Sequence, residues 1–330
     1  MFKTHSALGK FLQVTGLIIL GLLGLLAIFM LISSYLYYSP QAANLPCRQC
    51  GGLAKAVKVN GFDLYFRELG QDNGKAPVVM VHGGPGMSSQ TFKDGFDFLA
   101  SQRRVIFYDQ RGSGFSQIKP DPANYTFEAM INDLETLRRD VLKVDKMVLV
   151  GHSAGGELVQ RYTLLYSQHV ERMILVSSLP ANGGLESSGP LVDAVVAGMN
   201  VLSGNLPPAD PEKADVWYGQ LCEQGGQKRL YDPSRMDLIQ NAGYISFVTN
   251  REVTRTALGG NFDQALSQLP VKTLLIYGAA DNGYTGQAVM DHLHSLLPDS
   301  TLVRFDKSGH WPYLEEPEKF RQVVDDFLLQ

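Results

Sequence analysis

Between Met147 and Gly156 the sequence passes from an apolar run, through a glycine-flanked serine, into a helical pattern, and nothing else in the chain is as restrictive. Met147 to Val150 reads as a buried strand. It stops at Gly151, and Glu157, Leu158, Tyr162 and Leu165 take up helical spacing almost at once. A turn that sharp leaves no room for side chains at Gly151 and Gly155. Ser153 is therefore thrust out at the tip of a sheet, on strained backbone, over the N-terminus of the following helix. Gly-x-Ser-x-Gly alone is a weak signal, because many such serines only cap helices. A strand before it and a helix after it favour an exposed nucleophile.

On either side of this bend, apolar strands alternate with helical patterns. Residues 56–59 and 62–68, joined through Asn60 and Gly61, read as a hairpin. The runs 77–81, 104–108, 172–176, 271–277 and 301–305 read as further strands. Helices are expected near 91–101, 126–141, 285–297 and 317–329, the second capped by Thr126. Largely apolar strands separated by helices imply an α/β fold, with a mostly parallel, doubly wound sheet covered on both faces. The alternation lapses from Ser178 to Leu269, where glycine and proline punctuate short helical patterns at 191–202, 215–223 and 236–249. The expected organisation is a core of residues 54–177 and 270–330, interrupted by a helical cap at 178–269 that overhangs the serine.

Composition matters chiefly at the start of the chain. Phe11 to Ile32 carries no charged residue. About 22 residues at roughly 1.5 Å each span the ~30 Å hydrocarbon layer of a bilayer. Tyr35, Tyr37 and Tyr38 follow as an aromatic belt would. Residues 1–10 are then a short tail, 11–38 a single-pass transmembrane anchor in the lipid bilayer, and 39–53 a linker. A signal peptide has a shorter apolar region and a small-residue cleavage site, for which Gln41-Ala42-Ala43 is poor. Lys10, abutting the apolar run, points to an N-terminus inside and a catalytic domain outside the cytoplasm. Cys47 and Cys50 read as a structural disulfide in an oxidising compartment, and Cys222 as a buried free thiol. A formal net charge of −4 gives no reason to expect a nucleic-acid partner.

A serine hydroxyl needs a base, and the base a carboxylate to orient it. Among the histidines, His5 precedes the anchor, and His152 should diverge from Ser153 at so sharp a turn. His169, His292 and His294 sit in or beside helical patterns. His310, in the tight loop Ser308-Gly309-His310-Trp311-Pro312 after the last strand, stands at the sheet edge where ligands bind. Asp281, in the loop beyond the 271–277 strand, completes the chain order Ser, Asp, His. Asp109 also follows a strand, but its neighbours Arg111 and Gly112-Ser113-Gly114 suggest a structural role. Oxyanion donors are expected from the N–H of Ala154 and, in His82-Gly83-Gly84-Pro85-Gly86, from Gly84. No cofactor or metal is required by this chemistry.

Together these residues resemble the α/β-hydrolase superfamily over about residues 54–330. More narrowly, His82-Gly83-Gly84-Pro85-Gly86, Asp109-Gln110-Arg111-Gly112-Ser113-Gly114 and the serine bend with Gly156 are similar to the proline iminopeptidase family. That resemblance implies an α/β-hydrolase fold with a helical cap, a serine hydrolase releasing N-terminal residues from short peptides, and a cis Gly84-Pro85 bond. The family usually has tryptophan after its nucleophile, where this chain has Ala154, and His152 before the serine is the version common in esterases. Its cap also supplies acidic residues for the substrate α-amine, for which Glu186, Glu212, Glu223 and Glu252 are available. The expectation is a membrane-anchored serine hydrolase cleaving an amide or ester of a short peptide or small molecule through an acyl-enzyme. A carboxylesterase or lipase, or a non-catalytic ligand-binding protein of the same fold, are the alternatives.

Overall fold

The computed structural model describes residues 7–38, 56–119, 121–182, 195, 198–204, 206–208, 210–240, 243–257, 260–283 and 285–329. Its strands are β1 (Ala56–Val59), β2 (Phe62–Leu69), β3 (Val78–Val81), β4 (Val105–Tyr108), β5 (Met147–His152), β6 (Val170–Val176), β7 (Thr273–Gly278) and β8 (Ser300–Phe305). They form one sheet in the order β1-β2-β4-β3-β5-β6-β7-β8. The pairs β1–β2 and β2–β4 are antiparallel and all others are parallel. The chain steps outward from β3 to β4, then returns to lay β5 on the other side of β3. That reversal opens a crevice beyond the carboxyl ends of β3 and β5, the usual ligand position in such sheets.

Successive residues of each parallel strand feed opposite cores. Val79, Leu149, Leu175 and Leu275 pack on one face, against Leu134 of α2 (Phe127–Thr136), Leu158 and Tyr162 of α3 (Ala154–Tyr166) and, further along the sheet, Leu293. Val78, Val148, Ile174 and Leu274 pack on the other, against Phe92, Phe96, Tyr313 and Phe320. Burial on both faces is why the strands read as unbroken apolar runs rather than alternating ones. Thr126 caps α2 as expected, its hydroxyl accepting from Ala129 N at 3.1 Å. The helix then widens into π turns over Leu137–Leu142.

The helix expected near 91–101 does not form. Ser89–Phe92 and Asp97–Ser101 are two short 3-10 turns instead. Lys93 between them has φ of 46°, and a Cβ on Gly95 would stand 2.7 Å from Cδ2 of Tyr313. Phe92 and Phe96 reach the Tyr313 ring at centroid distances of 5.9 and 5.2 Å, so aromatic packing overrides helical propensity here.

Between β6 and β7 the described residues contain α4 (Pro211–Gln227), α5 (Phe247–Ala257) and α6 (Asp263–Leu266), and no strand. Asp210 caps α4 by accepting from Lys213 N at 3.0 Å, with Pro211 in the first turn. Asp215 in turn accepts from Phe247 N at 2.8 Å, and Trp217 and Tyr218 pack on the Phe247 ring.

The chain divides into two compact units, one holding the N-terminal helix α1 (Ala7–Tyr38) with the described residues from 195 to 207, the other holding the sheet and everything else described. Val14–Ser34 of α1 is 21 residues long, with a mean hydropathy of 2.7 in an 18-residue window, long and apolar enough to cross a membrane. Within that unit Gly198 lies against Phe29, so closely that a Cβ would stand only 3.2 Å from the ring. Cys47, Cys50 and the expected linker at 39–53 lie outside the described residues. After β7 come α7 (Gln287–Leu296), then, beyond β8, α8 (Pro312–Glu315) and α9 (Pro317–Leu329).

Candidate active site

Four of the parallel strands end at this crevice, and each contributes one part of a constellation. From β5 the chain turns through Ser153, whose backbone stands at φ 55° and ψ −124°, a left-handed conformation costly for a residue with a Cβ. Ser153 N donates to Val176 O at 3.1 Å, while Gly156 N and Leu179 N both donate to Ser153 O at 3.0 Å. Three glycines permit the bend. A Cβ on Gly151 would lie 2.5 Å from Gly156 Cα, one on Gly155 would strike Val81 O and His82 O, and one on Gly156 would strike the Ser178 hydroxyl.

From β7 comes Asp281, buried, with Oδ2 2.8 Å from His310 Nδ1 in the loop after β8. Thr285 donates to the same oxygen at 2.7 Å. Burial pushes the Asp281 carboxyl up, but His310, Arg229 and Thr285 together hold it well below the usual carboxylate range. Burial pushes His310 below the ordinary imidazole value, with Asp281 opposing and Arg229 adding to the shift. The ring is thus kept neutral into mildly acidic solution. Ser153 and His310 both line one cavity of about 900 Å³. No hydrogen bond joins their side chains among the described residues, and such contacts commonly tighten only when substrate binds.

From β3 comes the glycine loop. Gly83 lies close against Ser153, since a Cβ there would stand 2.7 Å from Ser153 Cβ. Gly84 and Gly86 take φ of 49° and 87°. The Gly84-Pro85 bond is trans, as is every peptide bond among the described residues, which corrects the cis bond implied by resemblance. Met87 N donates to Gly84 O at 2.7 Å, a turn that the trans geometry accommodates. Ala154 opens α3 directly after Ser153, so its N–H belongs to the first turn, where helix donors lack intrahelical partners.

Asp109 serves this loop rather than the chemistry. Its carboxylate accepts from Ser89 N at 2.6 Å and Phe115 N at 2.8 Å, with the Ser88 hydroxyl 3.3 Å away. Asp109→Ala leaves those buried donors without an acceptor and should lower unfolding stability by about 3 kcal/mol. Urea titration measures it, and an unchanged midpoint would remove the structural role.

Two contributors were not legible in the sequence. His152, expected to diverge from Ser153, turns its ring towards His310. The two ring centroids are 4.6 Å apart, and His152 Nε2 lies 3.0 Å from His310 O. Burial holds His152 far below the ordinary imidazole value, so it is neutral and donates from Nε2. Arg229, just after α4, puts Nη2 2.8 Å and Nε 3.1 Å from Asp281 Oδ1. No spacing rule links a cap arginine to an aspartate 52 positions on. His169 is half-buried, and His292 and His294 are exposed and remote, as expected.

One wall of the cavity is a face of α4, carrying Glu212, Asp215 and Glu223, with Gly219 among them and Gly226 just beyond. Glu252 is instead buried on α5 beside Arg251, and Glu186 lies outside the described residues. Cys222 is a free thiol, half-buried on the same wall, its pKa raised by burial.

Residues 76–207 match the family described as alpha/beta hydrolase fold. The proline iminopeptidase of Thermoplasma volcanium is 25% identical over 294 residues, covering 82% of this chain and 95% of its own length. That of Lactobacillus helveticus is 28% identical over 288 residues, with coverages of 82% and 95%. Among solved structures, an esterase from Exiguobacterium antarcticum superposes with a TM-score of 0.67 at 20% identity, covering 84% of this chain and all of that one.

Proposed function

We propose, for a chain that belongs to the α/β-hydrolase superfamily and stands close to the proline iminopeptidases, that it is a membrane-anchored serine aminopeptidase working through an acyl-enzyme. Ser153 is the nucleophile, His310 the base and then the acid, and Asp281 the carboxylate that orients it. The observation that carries the reading is the 2.8 Å contact of Asp281 Oδ2 with His310 Nδ1, beside a serine at φ 55° on the same cavity.

With Nδ1–H donated to Asp281, the Nε2 lone pair of His310 takes the Ser153 proton as Oγ attacks the carbonyl. The oxyanion is received by the N–H groups of Gly84 and Ala154 at the helix start. His310 then returns the proton to the leaving amine or alcohol, and water repeats the sequence to release the acid. Glu212, Asp215 and Glu223 across the cavity favour a substrate whose cleaved residue carries a free cationic amine. The apolar span of α1 supports an anchor, and Lys10 beside it a catalytic domain outside the cytoplasm.

A carboxylesterase is the second reading, favoured by Ala154 where iminopeptidases carry a large aromatic residue. Full-length protein in detergent, given prolyl-β-naphthylamide beside a short p-nitrophenyl ester, separates the two. Turnover of both, with the amide blocked by N-acetylation, is the expected result. Hydrolysis of the ester alone discards the peptidase.

A further inference from the structure

We infer that Arg229 is a positioning residue for the catalytic groups: it fixes the rotation of the Asp281 carboxylate and sets a permanent positive charge against the His310 ring. The inference rests on the serine-hydrolase reading above.

A carboxylate turns easily about its Cβ–Cγ bond, because that torsion is broad. For Oδ2 to face His310 Nδ1, something must hold Oδ1. Asp281 is buried, so the holder has to be a protein group. Arg229 supplies it with two nitrogens, Nη2 at 2.8 Å and Nε at 3.1 Å from Oδ1. Nη2 also contacts the Thr285 hydroxyl, which itself donates to Oδ2 at 2.7 Å. Both oxygens are thereby fixed.

The same Nη2 lies 2.7 Å from His310 Nδ1. A guanidinium has donors only and stays charged at any working pH. When Nδ1 carries the hydrogen that Asp281 accepts, the two nitrogens face each other as donors, and their approach disfavours an imidazolium. Arg229 therefore opposes what Asp281 promotes. Of the other ionisable groups around the ring, His152 is buried and neutral, and the Glu315 carboxylate accepts from the loop at Gly309 N, 2.7 Å away, while its own N–H donates to Trp311 O at 3.0 Å. Glu212, Asp215, Glu223 and Lys93 line the cavity beyond.

The main chain locks this arrangement. His310 N donates to Arg229 O at 2.8 Å, and Gly309 sits so close beneath that oxygen that no Cβ fits. Glu315 accepts from Gly309 N and from Tyr231 N, both at 2.7 Å. The segment after α4 and the loop of the base are thus one piece.

The test is the pH dependence of fluorophosphonate labelling of Ser153 in full-length wild type, Arg229→Met and Arg229→Lys, with thermal melts alongside. Losing the charge should move the acid limb to higher pH by roughly half a unit or more. The plateau rate should fall by roughly tenfold as Asp281 loosens. Lysine should restore the position of the limb but not the full plateau, having a point charge without the fork. An acid limb and plateau unchanged in Arg229→Met overturn the inference while the hydrolase reading stands; a wild type that does not label takes both down. If Arg229→Met fails to fold, Arg229→Gln against Arg229→Lys gives the same comparison of limbs.

Discussion

Ser153→Ala abolishes labelling by a fluorophosphonate and lowers turnover of any amide or ester substrate by roughly 10⁵-fold or more. The size follows from the division of labour proposed for the site. Without Oγ no acyl-enzyme forms, and what remains is the oxyanion donors acting on a bound carbonyl attacked by water. His310→Ala should cost nearly as much, and the double variant little more, because nucleophile and base act as one unit. Asp281→Asn should lose roughly 10⁴-fold, since an amide can no longer hold the Nδ1–H tautomer. The melting temperature of Ser153→Ala should stay near wild type, which separates lost chemistry from lost folding. Full labelling of the alanine variant at 153 would refute the assignment outright.

Gly155→Ala is expected to destabilise the protein by about 3 kcal/mol. Its Cβ would be driven into Val81 O and, 2.5 Å away, His82 O. Both are main-chain atoms at the end of β3, which cannot swing aside as a flexible side chain could. Relief requires lifting α3 off the sheet, and that would carry Ala154 N–H away from the glycine loop, so the folded fraction should also label slowly. Gly225→Ala on α4 is the control. Nothing lies within 4 Å of a Cβ there, and alanine suits a helix better than glycine. Equal denaturation midpoints for the two variants would mean that the close crossing of α3 over β3 does not hold the bend at Ser153.

The sheet was legible because its strands are buried on both faces, so β3, β5, β6 and β7 announce themselves as unbroken apolar runs ending in glycine or turn residues. Asp281 and His310 were legible for the same reason, as residues just past such runs at one edge. What escaped is what depends on packing between distant segments. Phe92 and Phe96 carry helix-like spacing, yet the Tyr313 ring draws them into two short turns around Lys93 and Gly95. His152 sits at the end of its strand, and only the return of the 308–312 loop decides that its ring meets His310 rather than pointing away. Arg229 belongs to an insertion with no periodic signature, and its meeting with Asp281 is visible only once the insertion folds back onto the sheet.

The insertion between β6 and β7 also orders events in time. A nascent chain leaving the ribosome exposes Ser153 well before Asp281, and His310 later still. If Ser153 and His310 act as proposed, the hydroxyl has no proton acceptor until then, and a product terminated before residue 310 would be inert. On the proposed mechanism, the order of synthesis withholds hydrolysis until the base has been made.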